Sequence, residues 1–260
     1  LREGVDLAAA ADDAAAADGL LRRAVAVAEA RAERATAVWA FEALGERARD
    51  GGDLAGAVRW LRRAAESAEG ERAQELGLEV ASMAAGPLGD LPLAAEVYES
   101  LRQRDPAERR VWEPLLDVYR VLGDRARLER LIDETVGHVF ETSDRNRLRL
   151  ERARILADDP ARLEDVVQAL RDALDEDPDD GEATRMLADL YERHRRDEDL
   201  AALLHRQFER AKDAGDARAA AALGLRVAAL LAPTRRGDAL DALRSALDIA
   251  PESAELLRRQ

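Results

Sequence analysis

The dipeptide Gly-Asp recurs at Gly52-Asp53, Gly89-Asp90 and Gly123-Asp124, at intervals of 37 and 34 residues. A second punctuation, Asp-Pro or Ala-Pro, recurs at Asp105-Pro106, Asp177-Pro178 and Ala250-Pro251, at intervals of 72 and 73, two of the shorter periods each. Such self-similarity restricts a fold strongly. A unit this short cannot bury an apolar face by itself and must stack on copies of itself. Before each proline runs the same apolar stripe: Ala94, Tyr98, Leu101; Val166, Leu170, Ala173; Ala239, Leu243, Ala246. Steps of four and then three put its members on one face of a helix.

The intervening units carry the stripe without the proline: Ala57, Leu61, Ala64; Leu128, Ile132, Thr135; Leu200, Leu204, Gln207. Ahead of it lies a second helical pattern: Phe41, Leu44, Gly45, Ala48; Leu78, Ala81, Ser82, Ala85; Trp112, Leu115, Leu116, Tyr119; Thr184, Leu187, Ala188, Tyr191. A small residue beside a larger one lets two helices approach, and the following glycine accepts the positive φ that reverses the chain. Reversals are expected near 50–53, 87–92, 122–125, 158–161, 194–198 and 233–238.

These residues resemble the tetratricopeptide repeat (TPR), a large apolar residue, Leu-Gly and Tyr, a turn, then Ala, an aromatic, Ala and Pro. The best single match is Phe41, Leu44-Gly45, Ala48, Gly52-Asp53, Ala57, Leu61 and Ala64. The resemblance covers units 37–70, 74–107, 108–141, 146–179, 180–213 and 219–252. A weaker unit, 3–36, precedes them, with Asp18-Gly19 as its turn, and a partial helix, 253–260, follows. The segment from Ala8 to Asp18, almost all alanine and aspartate, reads as a helix with a weak apolar face. Arg154 and Arg226 depart from the pattern, and Pro114 falls early in a first helix, where it removes one hydrogen bond or delays the helix start. The fold class implied is an all-α, right-handed superhelical solenoid of about seven antiparallel helix pairs. The chain is read as one such array, 1–260, with Leu243 and Leu247 covered by the last partial helix or by a neighbouring molecule, an arrangement that leaves self-association through the ends open. Leu1 in place of Met suggests a fragment or a processed product.

Composition narrows the chemistry. The chain holds no cysteine, which removes disulfides, thiolate metal sites and a cysteine nucleophile. Apolar residues make up 47% but aromatics only 3%, so alanine, leucine and valine dominate and favour helix over sandwich or barrel. Fifty-four acids against 40 bases give a net charge of −14, which disfavours nucleic acid. Lys212 is the one lysine, so nearly every cation is arginine. No apolar run is long enough to span a membrane, and the cytoplasm is the compartment favoured.

His138, His194 and His205 form no short metal-ligand pair, and no phosphate loop or nucleophile elbow occurs. Asp175 to Gly181 imitates a calcium loop but lacks its glycine and final glutamate, and reads as a solvated turn. No cofactor and no catalytic residue is therefore expected. The resemblance implies a non-catalytic scaffold that binds a peptide or partner helix, with the first helix of each pair lining the concave side. A regulatory segment of a larger enzyme or receptor is the alternative. Taking Phe41, Leu78, Trp112 and Leu150 as anchors, the next residue is expected to face the groove: Glu42, Glu79, Glu113 and Glu151. Glu46 and Asp117 join them one turn on, and Arg185 ends the row. Glutamate in a first turn also complements the helix dipole. If the row does form a groove, the partner carries arginine or lysine and is not a C-terminal carboxylate.

Overall fold

The computed structural model describes residues 1–11 and 13–249. Among them are fourteen α-helices and no strand. They are α1 (Arg2–Ala10), α2 (Ala14–Ala30), α3 (Val38–Asp50), α4 (Leu54–Ser67), α5 (Gly70–Ala85), α6 (Leu91–Arg102), α7 (Arg109–Leu122) and α8 (Arg125–Thr135). There follow α9 (Thr142–Leu156), α10 (Leu163–Glu176), α11 (Gly181–Arg193), α12 (Asp197–Asp213), α13 (Ala217–Leu231) and α14 (Arg236–Ile249). They make seven consecutive pairs. The partial helix expected at 253–260 lies outside the described residues; Leu243 and Leu247 on α14 are half-buried. None of the described helices is long and apolar enough to cross a membrane.

The chain divides into two compact units, Leu1–Glu141 and Thr142–Gln260. In the first, Leu21, Phe41, Leu44, Leu61, Leu76 and Val80 belong to one core running through α2 to α5. In the second, Leu150, Val166, Leu170, Leu187, Leu204 and Val227 belong to one running through α9 to α13.

The Gly-Asp dipeptide does two jobs at each reversal. Gly52, Gly89 and Gly123 take φ of 80, 70 and 68°, where a side chain would be strained. The aspartate then caps the next helix: Asp53, Asp90 and Asp124 accept from the amides of Gly56, Leu93 and Arg127 at 2.8, 3.1 and 3.0 Å. Gly215-Asp216 repeats the device between α12 and α13. Pro114 sits inside α7, which starts at Arg109, so the proline costs one backbone bond and does not delay the helix.

The buried face of α5 corrects one register. Leu78 is half-buried and Ser82 exposed, whereas Ala73, Leu76, Gly77, Val80, Ala81 and Ala84 are buried. A shift of 36 residues carries Ala37, Ala40, Phe41, Leu44, Gly45 and Ala48 onto those six positions. The anchor of this pair is therefore Gly77, one residue before Leu78. Its place is taken from the facing helix: a Cβ on Gly77 would lie 2.9 Å from Leu101 Cδ2. By the same reasoning α13 is anchored at Gly224, where a Cβ would meet Ala246 at 2.8 Å. Arg226 then falls on the exposed side and pairs with Glu192 of α11.

Candidate functional site

Three first helices of the first unit, α3, α5 and α7, carry five of the seven residues singled out. Glu42 is half-buried and held by both arms of Arg72 from α5, at 3.0 and 2.9 Å. Arg72 also donates to Glu75 at 2.8 Å. The bonds to Glu42 and then Glu75 push the Arg72 guanidinium pKa up. Glu79 is half-buried and accepts from Arg49 of α3 at 2.7 Å. Glu113 is half-buried and accepts from Arg109, one turn back on α7, at 2.9 Å. Glu46 and Asp117 are exposed, Asp117 in contact with Arg120.

The register of α5 changes what these residues have in common. Glu42 and Glu113 directly follow their anchors, Phe41 and Trp112. The residue that follows Gly77 is Leu78, so Glu79 matches Ala43 of α3, one position further round the helix. The displacement arises because the anchor was sought as a large side chain, and in this pair the large side chain is Leu101.

In the second unit Glu151 is buried, its side chain 10% exposed, and accepts from Arg154 at 3.0 Å. Arg154 also reaches Glu182 of α11 at 2.6 Å. Arg185 is exposed and donates to the carbonyl of Gly181 on its own helix at 3.1 Å.

The sequence reading missed the arginines. Acidic side chains and arginines join helices of neighbouring pairs throughout both units. First helices are joined by Arg72–Glu42, Arg49–Glu79, Arg154–Glu182 and Arg226–Glu192. Second helices are joined by Arg62–Glu96, Arg63–Glu29, Arg102–Glu134 and Arg171–Asp199. Tyr119 extends one such chain, donating to Glu99 at 2.7 Å while Glu99 accepts from Arg102 at 2.8 Å. Burial, and then the Glu99 carboxylate, raise the Tyr119 phenol pKa. The partners in the helix-to-helix pairs lie 28 to 34 residues apart, a periodicity already present in the sequence.

Around the acidic turn, Asp177 accepts from the amide of Asp179 and Asp180 caps α11 through the amides of Glu182 and Ala183. Among the described residues no group of three or more acids or histidines is placed to hold a metal ion.

No family model matches the chain, and no curated protein is similar to it in sequence. Some solved structures are similar to it. YrrB, described as a TPR protein with an unusual peptide-binding site, is 17% identical, with 71% of this chain and 90% of that one covered at a TM-score of 0.40. MamA from Desulfovibrio magneticus RS-1 is 16% identical, with 66% and 92% covered at 0.42. A further MamA structure is 12% identical, with 67% and 92% covered at 0.45. The solved structures similar to this chain thus include a TPR protein, the family whose pattern the sequence resembles. None of these scores reaches 0.5, so the fold stands on the chain's own fourteen helices.

Proposed function

We propose that the protein is a non-catalytic interaction scaffold that holds a basic peptide or partner helix against the first helices of its first unit. The reading rests on the helix pairs themselves. Most of their large apolar residues are consumed in stacking, although Val121 and Leu122 of α7 stay exposed, and α3, α5 and α7 each carry carboxylates outside the core. The observation that carries the sign of the partner is how Glu42, Glu79 and Glu113 are held. Their side chains are 22, 37 and 29% exposed, and the arginines over them, Arg72, Arg49 and Arg109, are 53, 44 and 54% exposed. Exposed pairs of this kind are worth only about 0–1 kcal/mol. An arginine or lysine of a partner therefore replaces the resident guanidinium at small cost, while an acidic partner pairs with those guanidiniums only in competition with the carboxylates already on them.

Binding by charge exchange is salt-sensitive, because the charges are exposed to solvent and added ions screen them, over about 8–10 Å near physiological ionic strength. The test is fluorescence anisotropy with arginine-rich and glutamate-rich peptides of equal length. The arginine-rich peptide is expected to bind, more weakly as ionic strength rises. The Glu42→Gln/Glu113→Gln variant, with its helical circular dichroism intact, is expected to bind about tenfold more weakly. Equal affinity for both peptides, or an unchanged affinity in that variant, overturns the reading.

A further inference from the structure

Between α4, α5 and α6 a recess of about 140 Å³ opens to solvent, lined by Ala65, Ala73, Gly77, Val80, Val97 and Leu101. Its mouth is charged. Arg62 is tied to Glu66 at 3.0 Å and Glu96 at 2.6 Å. Arg104, also at the mouth, pairs with no carboxylate among the described residues.

The second unit shows what belongs in such a place. There α13 is anchored on Gly224 as α5 is on Gly77. A Cβ on Gly224 would meet Ala246 of α14 at 2.8 Å and the ring of Phe208, from α12, at 3.1 Å. Phe208 follows the stripe Leu200, Leu204, Gln207 as Ala65 follows Ala57, Leu61, Ala64. At Gly77 the three nearest atoms all belong to Leu101, on the α6 side. The α4 side, where the second unit has a phenyl ring, has a methyl group.

We propose that this recess is a socket for one aromatic side chain of a partner peptide, with an acidic residue beside it. The size fits, since an apolar cavity of about 150 Å³ accommodates a benzene ring. It is too small for a whole ligand of the drug-like class, whose sites run to about 300–1,000 Å³. A single buried aromatic anchor is the usual centre of a peptide contact. At the rim Glu66 and Glu96 are already paired with Arg62, and Arg104 offers the guanidinium that an acidic residue of the peptide would meet. The socket is separate from the carboxylates of Glu42, Glu79 and Glu113, so its failure leaves the basic-partner reading standing, and the reverse.

The test uses the full chain and the blocked peptide acetyl-Asp-Phe-Asp amide, with binding followed by amide chemical shifts. Saturable shifts are expected at Ala65, Gly77, Val97 and Arg104. The Ala65→Phe variant places the chain's own ring in the socket and is expected to weaken binding at least about tenfold, with an unchanged or raised melting temperature. If that variant loses its helical dichroism, Ala65→Leu carries the same comparison. Arg104→Glu is expected to reverse the preference in favour of acetyl-Lys-Phe-Lys amide. No saturable binding, shifts centred elsewhere, or full affinity in the folded variant that fills the recess overturns the proposal.

Discussion

At the scale of single residues, the repeat conserves volume and not identity. The anchor of the first helix and the last member of the stripe on the second trade size along the chain at Phe41 with Ala64, Gly77 with Leu101 and Trp112 with Thr135, while at Gly224, whose stripe partner Ala246 is also small, the ring of Phe208 supplies the bulk. A large anchor is answered by a small partner, a glycine by a leucine or by a ring from the preceding pair. This predicts that Gly77→Phe alone overpacks against Leu101 and destabilises by about 1–3 kcal/mol. Adding Leu101→Ala is expected to restore most of the loss, a coupling that chemical denaturation of the single and double variants measures. The same exchange explains why the stripes were legible and one anchor was not. Ala94, Tyr98 and Leu101 stand on spacing alone and are all buried. The anchor was sought by bulk, which led to Leu78, one residue past a glycine. At the caps, Asp53→Ala removes the acceptor for the Gly56 amide and is expected to cost about 1 kcal/mol in the same assay.

At the scale of helices, the acidic balance of the sequence has a structural use. The acidic row was expected from the residue that follows each anchor, and many carboxylates, those of Glu42 and Glu79 among them, also take part in bonds that hold one helix to the next. The alternation of arginine and acid at about one repeat's separation was visible in the sequence. It went unread because a side-chain pair of that separation means nothing until helices of successive pairs are known to lie side by side. Glu176 at the end of α10 shows the effect at its strongest. Arg149 and Arg145 of α9 reach it at 2.6 and 2.8 Å and lower its pKa from 4.5 to about 2. The sign follows from linkage. A carboxyl whose pKa is depressed by folding stabilises the folded chain above its unfolded value and loses that contribution as pH falls through the folded one. Glu176→Gln is therefore expected to lower stability near neutral pH. It is also expected to flatten the loss of stability between pH 4.5 and about 2, read from urea midpoints across that range.

At the scale of the molecule, what matters is that each helix rests on its neighbours in sequence. In the second unit α12 packs on α13 and α13 on α14, and α9 packs on α10, while α9 and α14 share no packed face. An array of this kind has a stability close to a sum of local terms and nearest-neighbour interfaces. Damage in one pair is then felt by the adjoining pair and fades beyond it, unlike in a single globular core. Gly224 offers a clean way to apply the damage, because both facing helices crowd it. Gly224→Leu must drive its side chain into Ala246 on one side and Phe208 on the other. Hydrogen exchange of the folded variant is expected to show protection lost in α13 and α14, reduced in α12, and kept in α9 and α10. Uniform loss across all six helices of the unit would show instead that the second unit unfolds as one cooperative body, and that its pairs are not separable elements of stability.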